Sequence, residues 1–230
     1  MFQLYKTTVG KKIVAALTGF ILVGFVFGHM IGNLKTFMGR DAAGIHALDH
    51  YAEFLRSMGA DLFGHMTLLW IVRAGLLAAV VLHVVTVVQL AIINRAARGG
   101  SSYTKYQANS STFASRMMLC GGVLLLVFIV FHILHFTTGT LHFDGFIEGA
   151  VYHNVVSAFQ HWYLVGFYLL AMAALGAHLY HGVWSMFQTL GLDNPERNMV
   201  IRRGAVALSV VIAFGFITVP CAVFIGFLKP

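Results

Sequence analysis

The chain has 230 residues, of which 59% are hydrophobic and only 10% charged, and its mean hydropathy is +0.81. Soluble domains carry about 25% charged residues, so too little polar surface is available here to cover a water-exposed globule; disorder and collagen-like repeats are excluded by the same figures. Fifteen Lys and Arg against eight Asp and Glu give a net charge of +7, which in so apolar a chain reads as a membrane-topology signal and not as a nucleic-acid surface.

Five apolar stretches are long enough to cross a bilayer core, which takes about 20 residues as a helix. In chain order they are 13–37, 65–94, 115–138, 158–189 and 205–228. The fold class predicted is all-α integral membrane, as a single transmembrane domain over 1–230: four helices form an up-down bundle and a fifth lies at its periphery. The first stretch is too long for a signal-peptide core and has no small-residue cleavage pattern after it, so it is read as a retained span. The second and fourth exceed a bilayer thickness and should tilt or protrude. Pro220 should kink the fifth.

The connections carry the orientation. Lys6, Lys11, Lys12, Arg95, Arg98, Lys105, Arg116, Arg197, Arg202 and Arg203 fall on one side, and Lys35, Arg40, Arg56, Arg73 and Lys229 on the other. The excess puts the N-terminus in the cytoplasm and the C-terminus outside a bacterial plasma membrane. Within the long outer connection, Ile45, Leu48, Ala52, Leu55 and Met58 recur at helical spacing and predict a short amphipathic helix. The segment 96–112 is polar and reads as irregular, and Gly191 to Pro195 reads as a helix stop and turn. Cys120 and Cys221 lie inside apolar runs, so no disulfide framework is expected.

Twelve histidines outnumber the eight carboxylates. Four of them, His29, His83, His132 and His178, sit well inside the first four spans, where an ionisable residue is a functional hypothesis by default. At 1.5 Å per residue, His29 and His132 each lie about 24 Å from the inner end of their helices, and His83 and His178 each about 15 Å. Helices one and three are diagonal in an up-down bundle, as are two and four, so each matched pair faces across the axis. Two imidazoles facing across an apolar core are what bis-histidine haem ligation needs: His29 and His132 would hold an outer haem, His83 and His178 an inner one. Gly19, Gly121 and Gly122 fall near the inner level and would give the macrocycle clearance; Gly75 and Gly166 fall near the outer level. Ordinary small-residue packing accounts for the same glycines, and a hydrogen-bonded packing role or a proton relay accounts for any one histidine taken alone. His135 and His181, three residues on from His132 and His178, remain alternative ligands. No Cys-x-x-Cys-His motif is present, so covalent c-type attachment is not expected.

These residues resemble those of a known family. Gly28-His29-Met30-Ile31-Gly32-Asn33, Leu82-His83, Phe131-His132 and above all His178-Leu179-Tyr180-His181-Gly182-Val183-Trp184-Ser185 are similar to the single-subunit, five-helix, di-haem cytochrome b anchors of succinate:quinone oxidoreductases, a group that includes bacterial fumarate reductases. The resemblance covers nearly the whole chain and favours His132 and His178 over His135 and His181. It implies two haem b groups, a flavoprotein subunit with covalent FAD, and an iron–sulfur subunit docked on the cytoplasmic face. It also implies electron transfer between the clusters and a quinone, often menaquinone. In some members a glutamate two residues before the fourth ligand serves transmembrane proton transfer; here that position is Gly176, so this property is not carried over.

Haem propionates call for cationic partners. Arg73 is a candidate at the outer level and Arg116 at the inner, with Lys12 and Arg95 also on that side; snorkelling and topology account for them equally. Quinone reduction needs hydrogen-bonding or protonatable groups, and His50, Glu53 and Arg56 on the outer amphipathic helix, with Asn33, are the candidates. Two other readings stay open: the di-haem anchor of a hydrogenase, formate dehydrogenase or nitrate reductase, and a haem-free membrane protein whose histidines relay protons.

Overall fold

The computed structural model describes residues 2–97 and 113–229, and the side chains of 3–97 and 118–229 within them. Helices follow in the order α1 (Phe2–Lys6), α2 (Thr8–Leu34, continued by a 3-10 turn at Lys35–Met38), α3 (Ala47–Ser57), α4 (Ala60–Phe63), α5 (Thr67–Ala96), α6 (Phe113–Phe136), α7 (Val151–Ala158), α8 (Trp162–Thr189) and α9 (Asn198–Phe224). The described residues contain no strand. Helices α2, α5, α6, α8 and α9 are long and apolar enough to cross a membrane, so the chain is an all-α, multi-pass membrane protein. The face holding the N-terminus is called the N-side below, and the opposite face the C-side.

Local chemistry sets the helix ends. Thr7 caps α2, its hydroxyl accepting from Gly10 N at 3.0 Å, so that span begins five residues before the hydropathy run does. Helix α8 ends in a Schellman turn: Gly191 is left-handed (φ 72°), Leu192 N donates to Phe187 O at 2.9 Å, and Gly191 N donates to Gln188 O at 3.2 Å. This is the stop expected from the Gly191–Pro195 run. Asn194 then opens the way into α9, its side-chain oxygen accepting from Arg197 N at 2.8 Å. Helix α9 therefore starts seven residues earlier than 205, inside a polar stretch that hydropathy alone cannot recruit, and it runs through Pro220 to Phe224.

The fourth span is the main departure from the sequence reading. The stretch 158–189 is not one helix: α7 ends at Ala158, and α8 starts at Trp162. Helix α7 is buried on Tyr152, Asn154, Val155, Val156 and Ala158. It seats on α3, where the Asp49 carboxylate accepts from Tyr152 N at 2.9 Å, a favourable place for an anion at a helix N-terminus. The amphipathic helix expected around Ile45 to Met58 is α3, with Leu48 buried in the core. From residue 98 onward, the segment read as irregular at 96–112 lies outside the described residues.

Helix α2 packs against α5, α8 and α9; α8 packs against α6 and most extensively against α9. The core lies toward the C-side, where Phe128 of α6, Tyr168 and Met172 of α8, Val219 and Val223 of α9, and Tyr152 and Val156 of α7 meet. Large apolar side chains such as Phe20, Trp70, Leu77, Val123 and Phe214 are exposed on the helix flanks. A bilayer covers such a surface, and water does not.

Candidate functional site

The four intramembrane histidines meet in two pairs. His29 of α2 faces His132 of α6 with ring centroids 5.9 Å apart and ring planes at 81°. His83 of α5 faces His178 of α8 at 6.4 Å and 65°. The levels can be placed on one helix: Tyr168 of α8 touches His132, and His178 lies ten residues further along, about 15 Å toward the N-side. On α2, Thr18 touches His83 and His29 lies eleven residues away, about 16 Å. The two helices thus agree on the spacing.

The separations within each pair bear on the chemistry the pair can support. Two metal–nitrogen bonds of about 2 Å, with roughly 1 Å from each nitrogen to its ring centre, put two axial imidazoles about 6 Å apart. A direct imidazole–imidazole hydrogen bond would bring the centres to about 5 Å. Both pairs match the first figure, which is also an ordinary spacing for edge-on rings in contact. Among the described residues no group of three or more His, Cys, Asp or Glu could hold a metal ion. A metal at either pair would therefore need its remaining ligands from its own macrocycle, and a haem supplies four. The donor set fits that group.

Each pair has one ring whose orientation is anchored. Nδ1 of His83 lies 3.1 Å from Ala15 O and 3.1 Å from the Thr18 hydroxyl. A carbonyl only accepts, so Nδ1 carries the proton and the lone pair is on Nε2, the arrangement a metal ligand requires. Thr18 is held in turn, donating to Val14 O at 2.7 Å. At the C-side level, the Tyr168 hydroxyl lies 3.3 Å from His132 Nδ1 and 3.0 Å from His135 Nδ1. One hydroxyl can donate to one ring and accept from the other. His29 stacks on Phe25 at 5.4 Å and lies 5.7 Å from Phe216. His178 Nδ1 is buried without a partner.

The neighbours of the proposed ligands are also placed. His135 is fully buried against Tyr168 and Phe136, and His181 lies beside Trp184. Each sits off the line of the cross-bundle pairs. A Cβ on Gly19 would stand 3.4 Å from His83 Cε1, and one on Gly122 3.8 Å from His178 Cε1, so both glycines border the N-side pair. Gly121, Gly75 and Gly166 have nothing within 4 Å of where a Cβ would be. Larger residues there would enter open space, and Gly75 and Gly166 are exposed.

The remaining candidates fall at the rims. Asn33 Nδ2 donates to His29 O at 2.8 Å within its own helix. His50 pairs with Asp41 at 2.6 Å, and Glu53 pairs with Arg56 at 3.5 Å and His65 at 3.4 Å. The helix α3 thus takes part in one pair, His50 with Asp41, and one separate cluster of three, Glu53 with Arg56 and His65. Arg73 lies over the Trp70 ring at 5.0 Å. The Arg116 side chain lies outside the described residues. The surplus of C-side histidines has a partial physical account here: His50, His65 and His161 each take a carboxylate, His161 with Asp144 at 2.7 Å.

Sequence reasoning missed Tyr168 and Asn154. Tyr168 gave no periodic or motif signal, because its role depends on which helix lies alongside. No family model, curated protein or solved structure matches the chain.

Proposed function

We propose that this chain is the di-haem b membrane anchor of a succinate:quinone oxidoreductase. It would carry electrons between an iron–sulfur subunit on the N-side and a membrane quinone, with menaquinone the expected acceptor. The observation that carries the reading is the pair of cross-bundle histidine couples, at 5.9 and 6.4 Å. The resemblance of the His178–Ser185 stretch adds the choice of enzyme. The basic N-side is taken as cytoplasmic and as the docking face for the iron–sulfur and flavoprotein subunits.

Haem b, when bound, supplies one-electron carriers at two depths in a medium that otherwise conducts no charge. The chain's own part is to bind and orient. His29 and His132 would hold one iron, His83 and His178 the other. Ala15 O and Thr18 keep the His83 lone pair on Nε2, and Tyr168 positions His132. Gly19 and Gly122 keep the helix surfaces low beside the N-side pair. The apolar flanks exclude water from both levels. Quinone reduction takes up two electrons and two protons, and the C-side groups His50, Glu53 and Arg56, with Asn33, are the candidates to bind the quinone and hand on protons.

A reduced-minus-oxidised spectrum of the purified protein tests the reading. A b-type α-band with about two haems per chain is expected, together with copurification of a flavoprotein and an iron–sulfur protein. Absence of haem would overturn the proposal. Haem with hydrogenase, formate dehydrogenase or nitrate reductase subunits would keep the bundle chemistry and reassign the enzyme.

A further inference from the structure

A second site lies on the membrane flank of the bundle, where α8 meets α9 near the N-side. Tyr180 and Trp184 are one turn apart on α8. Arg202 of α9 reaches across to both: its guanidinium carbon sits 4.6 Å over the Trp184 ring, and Nη2 donates to the Tyr180 hydroxyl at 3.3 Å. Arg203 follows it in sequence and is exposed. Below them runs a groove of about 370 Å³, lined by Tyr180, Arg202, Arg203, Val206, Ala207 and Val210.

Three properties identify the occupant. Charge is the first. Two adjacent cations have no carboxylate partner among the described residues, and residues 98–117 contain no Asp or Glu that could supply one. Depth is the second. Arg202 lies four residues into α9, about 6 Å from its N-side start, which is headgroup depth for a span of this length. Val206 and Val210 then lie one and two turns deeper on the same helix, 46% and 47% exposed. Rigidity is the third. The Arg202 fork is held by an aromatic face and a hydroxyl, so a planar donor array is already in place for an oxyanion.

We infer that this groove binds an anionic phospholipid: the phosphate sits on Arg202 and Arg203, and an acyl chain lies along Val206, Ala207 and Val210. A basic pocket between membrane helices, walled below by apolar side chains, is the physical form of such a site. Trp184 and Tyr180 suit the same boundary, since amphipathic rings settle at the headgroup level. A neutral quinone would fill the groove but leave both cations without a counter-charge. The inference is independent of whether the histidine pairs hold haem.

The test compares lipids that share acyl chains and differ in charge. The full-length protein, delipidated in neutral detergent, is titrated with phosphatidylglycerol or phosphatidylcholine, and bound lipid is counted by native mass spectrometry. Each cation contributes about fivefold at such a surface, so wild type should prefer phosphatidylglycerol by roughly 25-fold. Arg202→Gln/Arg203→Gln should bring the two lipids to parity. Arg203→Gln alone, at an exposed side chain whose loss leaves the Trp184 contact intact, should reduce the preference about fivefold and serves if the double variant misfolds. Val210→Trp should weaken both lipids together by narrowing the acyl groove. Lys229→Gln, on the C-side, should change nothing. Equal binding of both lipids by wild type would overturn the site, as would an undiminished preference in the double variant. Stoichiometric displacement of phosphatidylglycerol by menaquinone would assign the groove to quinone and overturn it equally.

Discussion

The two halves of the bundle hold similar histidine pairs in different ways. On the N-side, the His83 ring is anchored to the main chain, through Ala15 O, with Thr18 as a second contact. On the C-side, His132 is anchored by a side chain, Tyr168, which also serves His135. The N-side pair has glycines for neighbours, Gly19 and Gly122. The C-side pair is walled by aromatic rings, among them Phe25, Phe128, Phe136 and Phe216, and is roofed by α3 and α7. The lesson is that one pair depends on backbone that mutation cannot delete, and the other on a single hydroxyl and on a cap built from two short helices.

Breaking one pair is the largest perturbation. On the di-haem reading proposed above, His83→Ala should remove one of two haems and leave the C-side one, and His132→Ala should do the reverse; haem per chain and the α-band report both. Equal loss of both groups in His83→Ala would show that the two levels are not separate sites.

The C-side cap is the next most sensitive element. Asn154 is 3% exposed, and its amide accepts from Ile147 N at 3.0 Å and donates to Ile147 O at 2.7 Å. Asn154→Ala removes both bonds and leaves Ile147 N without its partner, while Ile147 O keeps the Ala150 N donor at 3.3 Å, at a cost of about 1 kcal/mol. The apparent Tm should fall, and the C-side spectroscopic signature should broaden while the N-side one stays sharp.

The two anchors can then be compared directly. Tyr168→Phe keeps the ring packed and deletes the shared hydroxyl, at a stability cost of about 1 kcal/mol. On the di-haem reading, it should shift the reduction potential and the low-spin electron paramagnetic resonance signal of the proposed C-side haem alone. Thr18→Val should leave the N-side signal nearly unmoved, because Ala15 O still orients His83. Equal shifts in the two variants would contradict the backbone-versus-side-chain distinction.

The smallest effect is expected from pH at the C-side rim. Burial, and then the nearby Arg40 charge, lower the His46 pKa, with Asp49 opposing; the neutral ring accepts from Arg40 Nε at 2.8 Å. A group held neutral in the fold contributes stability that is complete above its unfolded pKa of about 6.5 and is lost as pH falls below it. Asp41 behaves differently. Its carboxyl is held below the usual range by the His50 hydrogen bond first, then by Ile45 N and Ala43 N, so its contribution persists until pH drops under about 4. Hydrogen-exchange protection of residues 40–47 should therefore weaken between pH 7 and 5, and protection in α5 should not change.

Much of this was readable before any coordinates. Runs of some twenty apolar residues mark spans because a bilayer demands that length, and all five appear as helices within a few residues of the expected bounds except at the starts of the first, fourth and fifth. There α2 begins at Thr8, α7 breaks off at Ala158 and α9 extends back to Asn198. These departures come from polar capping and turn contacts that hydropathy does not register. The matched depths of His29 with His132 and of His83 with His178 were also legible, since depth is only a residue count multiplied by the helix rise.

Rotation and neighbourhood were not legible. A residue count places His132 and His135 within a turn of each other but does not say which ring turns toward α2. Packing of α6 beside α8 decides it, carrying His132 to His29 and leaving His135 buried on Tyr168. The sequence by itself thus determined what is additive along one chain: span length, charge asymmetry and the two histidine levels. The tertiary structure alone decided what depends on the azimuth of one helix against another. Tyr168 lies ten positions from His178 yet serves His132, and Arg202 reaches Trp184 across a helix boundary, because side-chain direction and close packing are properties of pairs of helices and not of either sequence segment alone.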